Sequence, residues 1–136
     1  MKKALDFISR HKEVVFATVD GNMPKLRVLQ IMKQEGTVFY FAVNSEKEVY
    51  QQLQSNNNVE FVAMDSNISV RVAGYVLFNV SDVVAQEIYD NNPVLRRFHD
   101  SYKTIAYFRL LATKIDYYDL GTNPVTFDTF SFIHGK

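Results

Sequence analysis

Arg27 is the residue whose position in the sequence first suggests a binding site. It lies in the segment 24–31, where side chains alternate as in a strand. The alternation places Arg27, Leu29 and Ile31 on one face of that strand. Because an isolated charge is costly to bury among apolar side chains, the guanidinium of Arg27 needs a partner. That partner is either water or a carboxylate, reached by extending the side chain, or an anionic ligand.

The beginning of the next predicted helix is a second candidate. Ser45 and Glu48 match the Ser-x-x-Glu capping box, which predicts Ser45 as the N-cap. The free amides and partial positive charge of a helix N-terminus attract anions. Lys47 is unfavourable in a first helical turn, so it is either solvated beside acidic neighbours or a ligand of a bound anion. Since the two strands before this helix are predicted neighbours, we expect Arg27, Ser45 and Lys47 to converge on a phosphate.

Most other catalytic signatures are absent from the sequence. It contains no glycine-rich phosphate loop, no dinucleotide fingerprint and no nucleophile elbow. The three histidines, His11, His99 and His134, lie far apart without metal-ligand spacing, so we predict surface or helix-end positions and no metal site. Asp116 and Asp119 are a conceivable acid–base pair, but acids at a strand end more commonly shape a turn. The catalytic residues are therefore not identified by the sequence.

The composition excludes several classes of protein. Fifteen basic and fifteen acidic residues give a formal net charge of zero, which argues against a nucleic-acid or anionic-membrane partner. The absence of cysteine excludes disulfides and thiolate chemistry. No signal-peptide pattern and no run of about 18 apolar residues is present, so a cytoplasmic protein is expected. The length of 136 residues predicts one domain, residues 1–136. Eleven Phe and eight Tyr favour a β-rich core, the alternative being a site for a flat conjugated ligand.

The elements that would position these residues are mainly strands. Asp20-Gly21 and Glu35-Gly36 predict tight turns between three successive antiparallel strands. Gly74 interrupts a long strand, which predicts a bend, a bulge or close approach by a ligand. Two strands long enough to bend suggest a small barrel with few helices. Strands are predicted at 14–20, 25–33, 37–43, 59–64, 68–80, 105–118 and 125–132, and helices at 3–11, from 45, and at 81–90 with a helical turn up to 99.

In their order, several motifs resemble the FMN-binding split barrels of the pyridoxamine 5'-phosphate oxidase-like family. The resemblance extends over about residues 5–130 and is strongest to the short, nitroimidazole-resistance-like branch, for which the stretch 47–53 is typical. The motifs are Phe16-Ala17-Thr18-Val19-Asp20-Gly21, Pro24-x-x-Arg27-Val28, Val38-Phe39-Tyr40-Phe41, Ser45-x-Lys47, Val59-Glu60-Phe61 and Arg71-Val72-Ala73-Gly74.

The resemblance implies a mainly β fold, a six- to seven-stranded antiparallel split β-barrel that binds FMN at the two-fold interface of a homodimer. It also implies an oxidoreductase that passes electrons from NAD(P)H through FMN to a small molecule. The alternative in the same fold is a non-enzymatic protein that binds a flavin, the deazaflavin F420 or haem. Arg27, Ser45 and Lys47 match the family's phosphate ligands. The residues matching those that line the flavin ring and ribityl chain are Val28, Leu29, Tyr40 and Phe41.

Two departures from the family pattern bear on its chemistry. Glu46 stands where the true oxidases often carry an arginine between the serine and the lysine. Because a carboxylate repels a phosphate, either Glu46 points away or the phosphate is held more weakly. The extended C-terminal segment that carries substrate-binding basic residues in the true oxidases has no counterpart in this sequence. Pyridoxamine phosphate is therefore not the expected substrate.

Overall fold

The computed structural model describes residues 1–133, and His134 lies outside this range. The strands within it are β1 (Glu13–Asp20), β2 (Met23–Gln30), β3 (Lys33–Glu35), β4 (Val38–Val43), β5 (Asn58–Asp65), β6 (Ile68–Leu77), β7 (Ala106–Asp119) and β8 (Thr126–Ser131). The helices are α1 (Lys2–Arg10), α2 (Glu48–Ser55), α3 (Asp82–Asn91) and α4 (Pro93–Arg96), with a 3-10 turn at Tyr102–Thr104. The predicted mainly antiparallel β fold with few helices is confirmed.

The strands form one antiparallel sheet in the order β2-β1-β5-β6-β7-β4-β3, and β8 pairs with β7 outside this path. The two end strands, β2 and β3, are consecutive in the chain and are separated only by Ile31 and Met32. The amide of Ile31 donates to the carbonyl of Lys12, and that of Met32 donates to the carbonyl of Tyr40, both at 2.8 Å. Within residues 1–133 the two ends of the sheet are therefore joined through the chain and not through a β2–β3 ladder.

This junction changes the predicted strand count. The predicted strand 25–33 divides at Ile31 and Met32, because its two parts pair with different strands: β2 with β1, and β3 with β4. Eight strands result within residues 1–133, where six or seven were expected. The predicted pairing of the Arg27 strand with the strand before α2 is wrong for β2 itself, since β4 takes β3 and β7 as its neighbours.

Two turn and bulge predictions are confirmed by the backbone. A two-residue turn follows Asp20, and Gly21 adopts a left-handed φ of +64° at its first position. The ladder between β6 and β7 shifts register between Ala73 and Gly74, which is a bulge. A Cβ atom at Gly74 would collide with the carbonyl oxygen of Leu111. The close approach at Gly74 is thus made by the neighbouring strand.

Of the two helix N-caps that the sequence predicts, one is confirmed and the other is wrong. Ser81 caps α3, because its side chain accepts a hydrogen bond from the amide of Val84 at 3.2 Å. Helix α2 begins at Glu48, and its N-cap is Lys47, without any side-chain capping bond. The chain first turns at Asn44, whose side chain accepts from the amide of Glu46 at 2.9 Å and whose carbonyl accepts from that of Lys47 at 3.0 Å. The predicted capping box at Ser45 is therefore wrong.

The barrel interior is filled mainly by aromatic rings. Five phenylalanines with at most 1% of their surface exposed meet there, and the Phe41 ring lies 5.0 Å from that of Phe16 and 5.3 Å from that of Phe108. A second, smaller apolar cluster packs α3, α4 and the 3-10 turn against β4 and β7 and includes Tyr40, Tyr89 and Leu95. Most of the aromatic excess thus goes into packing. No helix within residues 1–133 has the length and hydropathy needed to cross a membrane.

Candidate functional site

Arg27 lies on the barrel face of β2, as the alternation predicted. It stands opposite Phe16 of β1, whose side chain is fully buried. Its neighbours Leu26 and Val28 point to the other face of the sheet, where they are 68% and 62% exposed. The strand therefore directs the only charge of its central part towards the apolar interior.

The guanidinium of Arg27 is held by three neutral acceptors. Nη1 donates to the hydroxyl of Thr18 at 2.8 Å and to the carbonyl of Phe16 at 3.3 Å. Nη2 donates to Oε1 of Gln52 on α2 at 2.7 Å. Of the five N–H donors of a guanidinium, Nε–H and the second Nη2–H have no partner among residues 1–133. These two donors share one edge of the group, the arrangement that holds a carboxylate or a phosphate with two parallel hydrogen bonds.

The charge of Arg27 also lacks a close counter-ion. No carboxylate within residues 1–133 forms an ion pair with its guanidinium. Burial lowers the pKa of Arg27, while the more distant carboxylate of Glu48 acts in the opposite direction. The side chain nevertheless stays charged at neutral pH, because an arginine is not deprotonated in that range. A partly buried cation with neutral partners and two unused donors is the electrostatic signature of an anion site.

Thr18 and Gln52 complete this arrangement and were missed by the sequence analysis. Both are buried, at 2% and 7% exposure, and the Thr18 hydroxyl donates to Oε1 of Gln52 at 2.5 Å. Gln52 thus accepts from both Thr18 and Arg27, which fixes the guanidinium between β1 and α2. A signal was present in each segment: Thr18 continues the inward series after Phe16, and Gln52 adjoins Leu53 on the apolar side of α2. Buried polar residues of this kind require partners.

The turn before α2 carries the other two predicted phosphate ligands. Ser45, Glu46 and Lys47 are all exposed there, and no side chain caps the first turn of the helix. Arg27 reaches the same helix, but at Gln52, about one turn further on. Within residues 1–133 no hydrogen bond joins Arg27 to Ser45 or Lys47. The structure therefore brings all three to α2 without bringing them into contact.

An apolar groove of about 520 Å³ opens beside this turn. The volume lies within the roughly 300–1,000 Å³ typical of small-molecule sites. Val28, Leu29 and Lys47 from the predicted set line it. The remaining lining residues come from β2, the junction after it, the end of β4, the turn before α2 and the segment after α3. They are Gln30, Met32, Ala42, Val43, Asn44, Val94, Leu95, Phe98, His99 and Ile105. The contribution of the 94–105 segment was not predicted.

Tyr40 and Phe41, the other two predicted flavin contacts, have side chains that are packed elsewhere. Phe41 is 1% exposed and belongs to the aromatic core. Tyr40 is 8% exposed, and its hydroxyl donates to Glu35 at 3.1 Å. Burial and that hydrogen bond raise the pKa of Tyr40. The two residues do not line the groove, so only their backbone or a rearrangement would bring them to a ligand.

The acidic residues and His11 have structural partners. Asp116 accepts from Arg71 Nη2 at 2.9 Å and from Thr129 at 2.9 Å, on the outer face of the sheet. Asp119 accepts from the amide of Gly121 at 2.7 Å, which confirms the expected turn role. His11 follows α1, stacks on Phe7 at 4.1 Å and meets Asp65 at 3.1 Å.

The open antiparallel barrel with external helices defines this chain as a split β-barrel protein. Residues 1–119 match the family model for pyridoxamine 5'-phosphate oxidase. Because the match covers most of the sequence, the chain belongs to the pyridoxamine 5'-phosphate oxidase family. No curated protein sequence matches it.

Solved structures with the same fold support the assignment of the architecture. General Stress Protein 26 from Bacillus anthracis is similar with a TM-score of 0.81 at 15% identity, over 96% of this chain and 97% of the other. A NimC/NimA family protein from Clostridium acetobutylicum gives 0.78 at 23% identity, over 97% and 92%. A heme binding protein from Mycobacterium smegmatis gives 0.74 at 15% identity, over 94% of this chain and 56% of the other. These likenesses confirm the split-barrel fold.

Proposed function

We propose that residues 1–136 form one FMN-binding domain and that the protein is an FMN-dependent oxidoreductase, passing electrons from NAD(P)H to a small molecule. The bound flavin would supply the two-electron chemistry. The chain itself would bind the phosphate with Arg27, Ser45 and Lys47 and would hold the ring system in the groove. Family membership supports this proposal.

The observation that carries the proposal is the unpaired guanidinium of Arg27. Its acceptors are neutral, two of its donors on one edge are unused within residues 1–133, and it is partly buried. A dianionic phosphate would satisfy both the charge and the geometry. The uncapped first turn of α2 and the exposed side chains of Ser45 and Lys47 would add amides, a hydroxyl and an ammonium.

The groove fits the other end of such a ligand. Its walls contain the apolar side chains of Val28, Leu29 and Phe98, which suits a flat conjugated ring. Phe98 is 76% exposed and Val28 is 62% exposed, so ligand binding would remove apolar surface from water. The groove and the Arg27 edge are linked through β2, which contributes to both.

We further propose that the protein is a homodimer with the flavin at the interface. The outer face of β1, β2 and β5 exposes an apolar surface made by Val15, Leu26, Val28 and Met64, each between 36% and 68% exposed. Val15 and Val28 are directly opposite each other in the ladder, so this surface is continuous. Contiguous apolar surface of this kind marks interaction sites. Light scattering that gives a monomer at micromolar concentration would contradict the dimer.

The experiment that tests cofactor binding uses the purified full chain. We expect visible flavin absorbance and FMN released on denaturation, identified by mass. If the protein is colourless, FMN is added and binding is followed by quenching of its fluorescence, with riboflavin as the matched ligand without phosphate. FMN should bind more tightly than riboflavin, because only FMN engages Arg27. A protein that is colourless and binds neither would contradict the proposal.

A second candidate is a non-enzymatic protein that binds a flavin, F420 or haem for storage or sensing. Glu46 favours it, because this exposed carboxylate lies between the two proposed phosphate ligands in the turn before α2. Anaerobic addition of NADH and NADPH separates the two candidates. Bleaching of bound flavin identifies an oxidoreductase. Flavin that stays oxidised, or tighter binding of haem than of FMN, identifies a binding protein.

A further inference from the structure

His99 is the titratable imidazole on the groove wall. It lies between α4 and the 3-10 turn, is partly buried, and lines the groove, as do Lys47 and Asn44. Its backbone is fixed at both ends: its amide donates to the carbonyl of Leu95 at 3.0 Å, and its carbonyl accepts from the hydroxyl of Tyr89 at 2.6 Å. The backbone that carries the imidazole ring is thus fixed by two hydrogen bonds.

The hydrogen bonds around His99 define where its ring carries a proton. Nδ1 lies 3.0 Å from the hydroxyl oxygen of Thr104. That hydroxyl donates its single proton to the carbonyl of Ser101, also at 3.0 Å. With the Thr104 proton assigned to Ser101, Thr104 is the acceptor and Nδ1 of His99 is the donor. We therefore assign the neutral ring as the Nδ1–H tautomer.

The remaining ring nitrogen is then free to exchange a proton. Nε2 of His99 has no hydrogen-bond partner among residues 1–133, and the residue lines the groove. In the neutral ring Nε2 is an acceptor, and in the imidazolium it is a donor. Tyr107, which packs against the second apolar cluster, is excluded as an acid–base group, because burial raises its pKa to about 12.

We propose that His99 is the acid–base residue of the groove and that its Nε2 supplies the proton that a hydride acceptor takes up there. This inference rests on the proposed function. A small conjugated acceptor, such as a quinone, would receive a hydride from the reduced flavin and a proton from the His99 imidazolium. The hydride and the proton together convert the two C=O groups of the quinone into two C–OH groups, and the neutral imidazole regains its proton from water. NAD(P)H restores the reduced flavin.

The charges around His99 belong to several elements. Two charged groups are close to it in the fold or in the chain: Lys47, which lines the same groove, and Asp100, the next residue. The other titratable groups on α3, α4, the 3-10 turn and the segments joining them are Asp82, Glu87, Tyr89, Asp90, Arg96, Arg97, Tyr102 and Lys103, and Tyr107 lies on β7. No ion pair joins any of them to His99 within residues 1–133.

The first test measures the imidazole itself. The protein is labelled with ¹⁵N-histidine, and ring resonances are followed at neutral pH with and without FMN. We expect Nδ1 of His99 to show a bonded proton, and its Nε2 resonance to move when FMN is added. His11, which does not line the groove, is the internal control. If FMN binds, as its fluorescence shows, but the Nε2 resonance stays in place, the inference is wrong and the proposed function stands.

The second test measures proton delivery. Pre-reduced FMN–protein is mixed with menadione, and flavin reoxidation is followed between about pH 5 and 8. In the unsubstituted protein the rate should fall as pH rises, because the imidazolium is consumed. His99→Gln, compared at saturating FMN, should be about 10²-fold slower and independent of pH. His11→Gln should behave like the unsubstituted protein. A pH profile that is the same with and without His99 would overturn the inference. A protein that binds no FMN at all would instead contradict the proposed function.

Discussion

Two arginines on different strands of the sheet, β2 and β6, have opposite electrostatic surroundings. Arg71, on the outer face of β6, is bound to Asp116 at 2.9 Å and lies 3.8 Å from Glu60. The hydrogen bond to Asp116 raises the pKa of Arg71. Arg27, on the barrel face of β2, has only neutral partners, and burial lowers its pKa. Asp116 neutralises the charge of Arg71 within the fold. The charge of Arg27 is held in position by neutral groups and can pair with an anionic ligand.

The largest effect that follows from this contrast concerns ligand affinity. We expect Arg27→Ala to weaken FMN binding roughly 30-fold or more, because a buried charge-assisted contact is lost. Riboflavin, which lacks the phosphate, should bind as before. Titration of both ligands by fluorescence quenching measures the difference. Arg71→Ala is the matched control and should leave the affinity for FMN unchanged. Equal losses from the two substitutions would remove the distinction between the two arginines.

The next effect tests how Arg27 is held. Gln52→Leu removes the acceptor shared by Arg27 and Thr18 and leaves two donors unsatisfied. We expect a loss of about 1–3 kcal/mol in the free energy of unfolding, measured in urea, and weaker binding of FMN. Gln54→Leu changes an exposed residue of the same helix and is the control. Similar stability of the two variants would mean that the Thr18–Gln52 pair contributes little.

The ion pair between Arg71 and Asp116 predicts that the stability of the protein depends on pH. Burial opposes the charge of Asp116, but hydrogen bonds from Arg71 and Thr129 lower its pKa overall. A carboxyl whose pKa is lower in the folded state stabilises the protein above its unfolded pKa, about 3.9, and loses that contribution as pH falls through the folded pKa. Asp116→Asn should therefore cost about 1–2 kcal/mol near pH 7. The difference from the unsubstituted protein should disappear in strong acid, as urea unfolding at several pH values will show. A difference that is constant with pH would contradict this assignment.

The smallest effect is expected in the turn before α2. Lys47 is exposed, so Lys47→Ala should reduce FMN affinity by only about 0.2–1 kcal/mol, and by less at high salt. Glu46→Gln should increase the affinity by a similar amount, because a repulsive charge is removed. Lys2→Ala, on the exposed side of α1, is the control. A loss at Lys47 as large as that at Arg27 would show that the ammonium is buried when the ligand is bound.

Local signals in the sequence were sufficient for most of the fold. Asp20-Gly21 and Ser81 act through neighbours a few residues away, and both predictions are confirmed. The division at Ile31 and Met32 depends on hydrogen bonds to Lys12 and Tyr40, which no local pattern contains. At Ser45 the capping motif is not used, because the chain turns at Asn44, which accepts from the amide of Glu46, and α2 begins only at Glu48.

The sequence predicted only part of the candidate site. Arg27 was identified because a charge on an apolar face is conspicuous in one short segment. Its partner Gln52 is 25 residues away, and the pairing exists only after α2 has packed on the barrel. His99 joins the groove from the segment after α3, and its tautomer depends on Thr104. Contacts between distant segments are therefore what the sequence did not predict.

The junction at Ile31 and Met32 also determines how wide the groove is. These two residues tether β2 to β3, and Met32 itself lines the groove, as do Val28 and Leu29 just before it. The length of this connection limits how far β2 and β3 can move apart. A residue inserted at this point would allow β2 and β3 to separate. A residue inserted at the Gly21 turn would only lengthen a loop. Relatives that admit larger ligands would be expected to differ at this tether.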